Sequence, residues 1–288
     1  GLGAIAFEQG DLPLAATYFR ESAAVRRTLN DLAGAGSALH NLAQIMLFQG
    51  VCGEAIALHE ENLLLRRQLG DLRGIASSLN SLGTIALDQG HHERAIALYE
   101  EALSLRRELG DKRGISTCLN NLGNLAFNRD NLSEALAYYT ESLAIDRDIG
   151  DQSGIAASLH NLGSVALAHG DLETAAMHLS ESLAVRWRIQ EHRSIPESLD
   201  GAATLASARG TYADAARLFS HANHMRSQIN IAVPPDDAER LQQVWNDVVS
   251  HMDSEQLDMA TVKGRTESTD VVIASALDML RGHAATGA

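Results

Sequence analysis

Residues 119–126 read Leu-Asn-Asn-Leu-Gly-Asn-Leu-Ala, and related versions of this stretch begin at residues 39, 79 and 159. The step between them is forty residues each time. Read as a helix, the stretch places leucine, glycine and alanine at i, i+3, i+4 and i+7, which is one apolar face. Asparagines with the same spacing, offset by two residues, form a polar face on another side of the helix. The stretch therefore predicts a repeated amphipathic helix.

Other positions recur in the same phase, and recurrence within one chain is direct evidence of repetition. Alanine recurs at one position of the second helix, and leucine recurs at one position of the first helix. The members are Ala15, Ala55, Ala95, Ala135, Ala175 and Ala215, and Leu39, Leu79, Leu119, Leu159 and Leu199. Such units contact only their neighbours, so the whole array forms one domain.

Each unit is predicted to contain two antiparallel helices, from about Arg73 to Gln89 and from about Glu93 to Leu109. Gly90 and Gly110 stand where a helix end needs a left-handed residue. Asp111 can cap the next helix. At residue 130 an aspartate replaces the turn glycine, and aspartate tolerates positive φ better than most residues.

The fold class predicted is an all-α solenoid of antiparallel helix pairs with a C-terminal helical cap. Residues 1–230 form five to six units, the first of them truncated. Capping helices follow in residues 231–281, one from Asp236 to about His251 and another from about Ser268 to Leu280. Residues 282–288 are predicted to be a disordered tail. Because Gly1 aligns with the middle of a repeat, we expect the chain to be a piece of a longer protein.

Small residues inside the helices predict close packing. Gly83, Gly123 and Gly163 each cost roughly 1 kcal/mol relative to alanine in mid-helix. A cost that recurs in phase indicates that neighbouring helices approach closely at these positions.

Composition excludes several classes of function. The net charge is -14 and no segment is rich in lysine or arginine, so the chain lacks the positive surface that nucleic acid requires. No apolar run approaches the roughly 18 residues of a membrane span. Cys52 and Cys118 lie in different phases, which predicts neither a disulfide nor a metal site and favours a reducing, cytoplasmic location.

The motifs of common catalytic sites are absent from the sequence. It contains no phosphate-binding loop, no Gly-x-Ser-x-Gly elbow and no His-Glu-x-x-His. His91-His92 and the pair His221 and His224 lack further ligands nearby, so we predict no metal and no cofactor. The chain is therefore predicted not to be an enzyme, with catalysis kept as a remote alternative.

Charged residues also recur in phase. Glu60-Glu61 and Glu100-Glu101 keep step with Arg66 and Arg106, which indicates a charged surface with short-range pairs rather than acid–base catalysis. The arginine pairs in the last turn of the second helices are expected to be solvated and to complement the helix dipole.

The repeat resembles the tetratricopeptide repeat (TPR) family. The signature residues are Leu122-Gly123, Ala126, Ala135, Tyr139 and Ser142, and again Leu82-Gly83, Ala86, Ala95, Tyr99 and Ala102. The forty-residue step is similar to the long-helix type of kinesin light chains, which also occurs in the C-terminal regions of bacterial signalling ATPases and LuxR-type regulators. The resemblance implies a right-handed superhelix whose first helices line a concave groove.

In relatives, peptides or partner helices bind in this groove, often through asparagine side chains. Carried over by position, the groove residues form what we call the polar stripe. They are Ser37, His40, Asn41, Gln44, Ser77, Asn80, Ser81, Thr84, Thr117, Asn120, Asn121, Asn124, His160, Asn161 and Ser164. These side chains are neutral, so a clamp for a carboxylate is not predicted. A solvated face, or a capping or inter-repeat role for the asparagines, is the alternative.

The function predicted is therefore a protein-interaction scaffold with a protein or peptide in the groove. We expect it to be the C-terminal sensor or regulatory region of a larger bacterial signalling or transcription-regulatory protein. A stand-alone adaptor or self-assembling scaffold with end-to-end self-association is the alternative.

Overall fold

The structure is a computed structural model that describes residues 1–233 and 235–282. Within these ranges the chain forms fifteen α-helices and one short 3₁₀ helix, with no strand. The fold is therefore all-α, as predicted. The tail predicted to be disordered lies outside the described residues, except for Gly282.

The backbone divides into two compact units, Gly1–Leu125 and Ala126–Ala288, and the division falls inside one helix. Unit 1 contains α1 Leu2–Glu8, α2 Leu12–Thr28, α3 Leu32–Phe48, α4 Cys52–Leu69, α5 Leu72–Asp88, α6 His92–Glu108 and most of α7 Lys112–Asn128. Unit 2 contains α8 Leu132–Ile149, α9 Gln152–Ala168, α10 Leu172–Arg188, α11 Ile195–Ala208, α12 Tyr212–Ile229, α13 Pro235–Ser250, α14 Ser254–Thr266 and α15 Thr269–Leu280. Consecutive helices from α1 to α6 and from α8 to α12 pack side by side.

Turn residues decide the helix ends, and the predicted ends of the repeat helices differ from the observed ones by one residue. Gly90 has φ 74° and Asp130 has φ 60°, so both adopt the left-handed conformation that the turn requires. Asp71 caps the following helix, because its Oδ1 accepts a hydrogen bond from the Gly74 backbone N–H at 3.0 Å.

The mid-helix glycines allow close packing, as predicted. A Cβ atom on Gly83 would lie 2.7 Å from the Tyr99 ring, and one on Gly163 would lie 2.8 Å from Leu179 Cγ. Tyr99 and Leu179 are both buried at the same repeat position on the second helix. The helix pairs therefore close on each other only because these glycines carry no side chain.

The C-terminal region has three helices where the sequence predicted two. The missed helix, α14, contains Gly264, which reads as a helix breaker. Here the glycine lets α14 approach α12, since a Cβ at Gly264 would lie 2.2 Å from the Arg217 carbonyl oxygen. His221 of α12 contacts the Gly264 carbonyl oxygen at 2.8 Å through Nδ1. These contacts involve residues more than forty positions apart and give no local signal.

Glu61 and Glu101 pair between repeats, so the short-range pairs predicted for them are wrong. The Arg67 guanidinium donates to Glu101 at 2.8 Å, and Arg27 bonds Glu61 in the same way one repeat earlier. Both pairs join residues 34 positions apart on successive second helices.

The first arginine of each pair was also expected to be solvated, and in part this is wrong. Arg66 is largely buried and donates to the capping Asp71 at 2.6 Å. Arg186, at the same position three repeats later, is almost completely buried. At these positions the arginine holds the repeat junction together.

Candidate partner-binding face

Most of the polar stripe lies on three first helices of unit 1. Its members there are exposed or half-buried side chains of α3, α5 and α7. They are Ser37, His40, Asn41, Gln44, Ser77, Asn80, Ser81, Thr84, Thr117, Asn120, Asn121 and Asn124. The 3.6-residue period of the helix brings these side chains to one face of each helix.

Two amides of the stripe are joined across neighbouring helices. The Asn121 side-chain N–H donates to Asn80 Oδ1 at 3.1 Å, and the Cys118 thiol approaches the same oxygen at 3.7 Å. The inter-repeat role that was kept as an alternative therefore applies to this pair. The bond also fixes the orientation of both amides, which leaves the second Asn121 N–H and the Asn80 amide N–H as donors.

A tyrosine from the second helix extends to the same face. The Tyr99 hydroxyl donates to Thr84 Oγ1 at 3.1 Å after its ring passes beside Gly83. Burial raises the pKa of Tyr99 to about 12, so the hydroxyl stays protonated and neutral at physiological pH.

At the tyrosine position of the preceding repeat stands His59. It is fully buried, and neither ring nitrogen has a hydrogen-bond partner in the described part of the chain. Its ring packs edge-on against His40, with the centroids 5.5 Å apart. Burial, with a smaller effect of His40, lowers the pKa of His59 to about 4.

The pKa of His40 is also lowered, by burial and by the nearby Arg66. Both histidines are therefore neutral at pH 7. His59 was not predicted to belong to the site. A histidine stands out in this column, whose other members are Phe19, Tyr99, Tyr139, Leu179 and Phe219.

In unit 2 the stripe residues His160, Asn161 and Ser164 lie on α9. His160 is buried, and its Nε2 lies 3.3 Å from Glu197 Oε1, while Arg186 Nη2 lies 3.0 Å from the other Glu197 oxygen. Burial lowers the pKa of His160, although Glu197 opposes the shift. Unlike the unit 1 residues, His160 is enclosed by side chains of the chain itself.

The same face of unit 2 carries α13. The Arg240 guanidinium lies 4.5 Å from the centroid of the Phe127 ring, and the Ser207 hydroxyl donates to Asp247 at 2.9 Å. Phe127 and Ser207 occupy equivalent positions of first helices two repeats apart. Asp237 and Arg240 also lie close enough to influence the pKa of His160.

The apolar side of α13 anchors it. Val248 is fully buried, and Trp245 meets the Phe219 ring edge-on with centroids 6.1 Å apart. Leu241 and Val244 pack against the same core cluster. The stripe in unit 2 therefore lies beside a helix supplied by the same chain.

Residues 1–233 and 235–282 contain neither a cluster of metal ligands nor a helix able to span a membrane. No group of three or more His, Cys, Asp or Glu side chains there is placed to hold a metal ion. No helix in that part of the chain combines the length and hydropathy needed to cross a membrane.

Paired helices, glycine-mediated close packing and left-handed turn residues at a forty-residue period define a helix-pair repeat scaffold. The family model described as tetratricopeptide repeat matches residues 34–108, 74–148 and 114–188, which together cover more than half of the chain. The chain belongs to the tetratricopeptide repeat family. None of the curated proteins compared with the sequence matches it significantly.

Solved structures share the fold at low sequence identity. BtubC (BKLC) from P. vanneervenii is 20% identical with a TM-score of 0.64, and the match covers 77% of this chain and 94% of that one. A putative kinesin light chain from Podospora anserina with nearly identical TPR-like repeats is 18% identical, with a TM-score of 0.52 and coverage of 68% and 97%.

A third similar structure is a Rap protein complexed with Competence and Sporulation Factor. It is 17% identical with a TM-score of 0.57, and the match covers 87% of this chain and 74% of that one. At these identities the likeness concerns the fold alone.

Proposed function

We propose that unit 1 binds a peptide or protein partner on the polar stripe. One observation carries the proposal. Exposed polar side chains recur on successive first helices, and the Asn80–Asn121 bond fixes two of their amides in orientation. Donors and acceptors that are already ordered lose little conformational entropy when a ligand binds.

Neutral amides match the main chain of a peptide, which offers both donors and acceptors. Each such bond contributes roughly 0.5–1.5 kcal/mol net, so several are needed for useful affinity. The repeat supplies them at regular intervals along the face. The lowered pKa values of His40 and His59 keep both imidazoles neutral at pH 7, which favours backbone recognition over a histidine-based charged clamp.

The test begins with a displayed library of random twelve-residue peptides selected against the full chain. Selected peptides are then titrated against the wild type and the double variant Asn41→Ala, Thr117→Ala. Both side chains are exposed members of the stripe, so the variant should fold normally. We expect binding to weaken by about tenfold or more, which corresponds to the loss of one or two hydrogen bonds.

The matched control is Gln68→Ala, which removes an exposed amide from α4, outside the stripe. It should leave the affinity unchanged. Peptides that bind the double variant as tightly as the wild type would place the site elsewhere. Failure to select any peptide from the library would remove the proposal.

The narrower part of the proposal is that the chain is the regulatory region of a larger bacterial signalling or transcription-regulatory protein in the cytoplasm. It is supported by the fold shared with Rap proteins whose structures contain a signalling factor or peptide. The test is to sequence the parent gene upstream and downstream of the region that encodes this chain. An ATPase, kinase or helix-turn-helix segment would support the regulatory setting, and a gene made of repeats alone would contradict it.

A further inference from the structure

Two large apolar side chains of α14 are turned to solvent. α14 packs against α12, and its inner side holds the buried residues Ala260 and Gly264. On the opposite side, Met259 is 68% exposed and Val262 is 53% exposed. These two residues are three positions apart, so their side chains are neighbours on one helix face. We call this side of the helix, with the charged residues that flank it, the outer face of α14.

Charged side chains flank the two apolar ones and have no ionic partner within residues 1–233 and 235–282. They are Glu255, Asp258 and Arg265, and all three are exposed. By contrast, arginines on the second helices pair with glutamates of the next repeat, as Arg67 does with Glu101. The charges on the outer face of α14 are therefore available to a binding partner.

The order of these charges makes α14 complementary to itself. Its first half carries Glu255 and Asp258, and its second half carries Lys263 and Arg265. This order also suits the helix dipole, and by itself it would indicate no partner. Together with the apolar pair at the centre, it means that a second α14 running antiparallel would place each acidic half against a basic half.

The helical spacing determines which residues meet in that arrangement. Met259 faces the partner's Val262, and Val262 faces the partner's Met259. When Met259 is placed at position a of a heptad and Val262 at position d, Asp258 and Arg265 both fall at position g. The g positions of antiparallel helices lie side by side, so Asp258 meets the partner's Arg265. A two-fold axis repeats every contact, which gives two apolar contacts and two ion pairs.

We infer that the outer face of α14 binds a second copy of this chain through an antiparallel, two-fold symmetric contact. A second copy fits better than another protein, because the face itself contains the complement of its own charges. None of these residues belongs to the polar stripe, so the inference is independent of the proposed function.

The dimer is expected to be weak and reversible. Glu255 and Thr266 end the apolar part of the face after about one helical turn. The contact therefore buries less than the roughly 1,200–2,000 Å² of a standard protein–protein interface. We expect a dissociation constant on the order of 100 μM.

The first measurement is sedimentation equilibrium of the full chain at about 5 to 500 μM in about 0.15 M salt. We expect a monomer–dimer equilibrium. Val262→Asp should abolish the dimer over this range, because it places a carboxylate in the apolar centre of the contact. Val262 is exposed in the single chain, so this variant should keep the melting temperature of the wild type.

Charge reversal tests the antiparallel register. Asp258→Lys and Arg265→Asp should each weaken dimerisation by about tenfold or more, because each change turns two attractions into two repulsions. The double variant Asp258→Lys, Arg265→Asp should restore the wild-type dissociation constant. An equimolar mixture of the two single variants should form a heterodimer, since each of them repels itself and attracts the other.

Glu100→Lys is the matched control, because it changes the net charge by the same amount as Asp258→Lys at an exposed position of α6. It should leave the dissociation constant unchanged, and a loss equal to that of Asp258→Lys would overturn the inference. A chain that stays monomeric at about 500 μM would also overturn it and leave the face to another protein. So would a dimer that survives Val262→Asp, which would place self-association elsewhere. If neither the double variant nor the mixture restores the dimer, the antiparallel contact is wrong.

Discussion

The two units are built from the same repeat, but they use its groove-side positions differently. In unit 1 the position of His40 and Asn80 holds neutral, half-buried side chains. In unit 2 the same position holds His160 and Asp200, which are buried and paired with charged groups. The repeat thus fixes where a side chain lies, while its identity and its neighbours decide whether it faces a partner or the chain itself.

The second helices show the same contrast. At one position unit 1 has Phe19, His59 and Tyr99, and unit 2 has Tyr139, Leu179 and Phe219. Among these six residues, only His59 places side-chain nitrogens in an apolar site without a hydrogen bond in the described part of the chain. Unit 1 therefore sacrifices some stability beneath the face proposed to bind a partner.

The largest effect is expected from the buried ion pair of unit 2. Arg226 bonds both carboxylate oxygens of Asp200, and both side chains are at most one-tenth exposed. Arg226→Ala should lower the free energy of unfolding by about 3–5 kcal/mol, because it leaves a buried charge unpaired. The measurement is urea unfolding followed by tryptophan fluorescence, since Trp187 and Trp245 both lie in unit 2.

Arg147→Ala is the control for that change, because it breaks an exposed pair with Glu181 in the same unit. It should cost less than about 1 kcal/mol. Similar losses for Arg226→Ala and Arg147→Ala would show that the Asp200 pair is not the stabilising feature of unit 2.

The next effect concerns His59. Its pKa is about 4 in the folded chain and 6.5 when unfolded, so the unfolded chain binds more protons between these values. Stability is therefore fully present above about pH 6.5 and is lost as the pH falls toward 4, by an amount on the order of 3 kcal/mol.

His59→Phe should remove this acid sensitivity of unit 1. At pH 7 it should also raise the free energy of unfolding by about 1–3 kcal/mol, because two unsatisfied buried nitrogens are lost. Hydrogen exchange of α4 at pH 7 and pH 5 measures both effects. His91→Phe, which changes an exposed histidine, should leave the exchange of α4 unchanged at either pH.

A third test concerns the close helix approach in unit 1. Gly83→Ala places a Cβ 2.7 Å from the Tyr99 ring, so overpacking of about 1–3 kcal/mol should outweigh the gain of about 1 kcal/mol in helix propensity. Gly53→Ala meets no atom within 4 Å and should be neutral or stabilising. The measurement is the melting temperature of each variant relative to the wild type. A higher melting temperature for Gly83→Ala would mean that the Tyr99 ring can move aside.

The smallest effect is expected at the contact between α13 and the groove side of unit 2. Arg240→Ala removes the guanidinium from the Phe127 ring and should cost about 0.5–1 kcal/mol. The first turns of α13 should then exchange their amide hydrogens faster, while those near the buried Val248 should not. Unchanged exchange in the first turns would mean that the apolar anchors alone hold this helix.

The sequence determined most of the local structure. The period, the helix pairs and the turns all depend on residues within one or two helical turns of each other. Gly90 ends a helix through its own left-handed backbone, and Asp71 caps a helix through a backbone N–H three residues later. The ends of α5 and α6 were therefore predicted to within one residue. The mid-helix glycines likewise indicated close approach before the facing side chains were known. The polar stripe was predictable for the same reason, because its side chains follow a regular spacing along each single helix.

Only the tertiary structure decided what those helices face. Arg67 pairs with a residue 34 positions away, and α14 is held by a glycine against a carbonyl more than forty positions earlier. The position of α13 beside the stripe of unit 2 depends on packing of Trp245 and Val248 against other helices. Periodicity shows which face of a helix is apolar, but it contains no information on which distant segment covers that face.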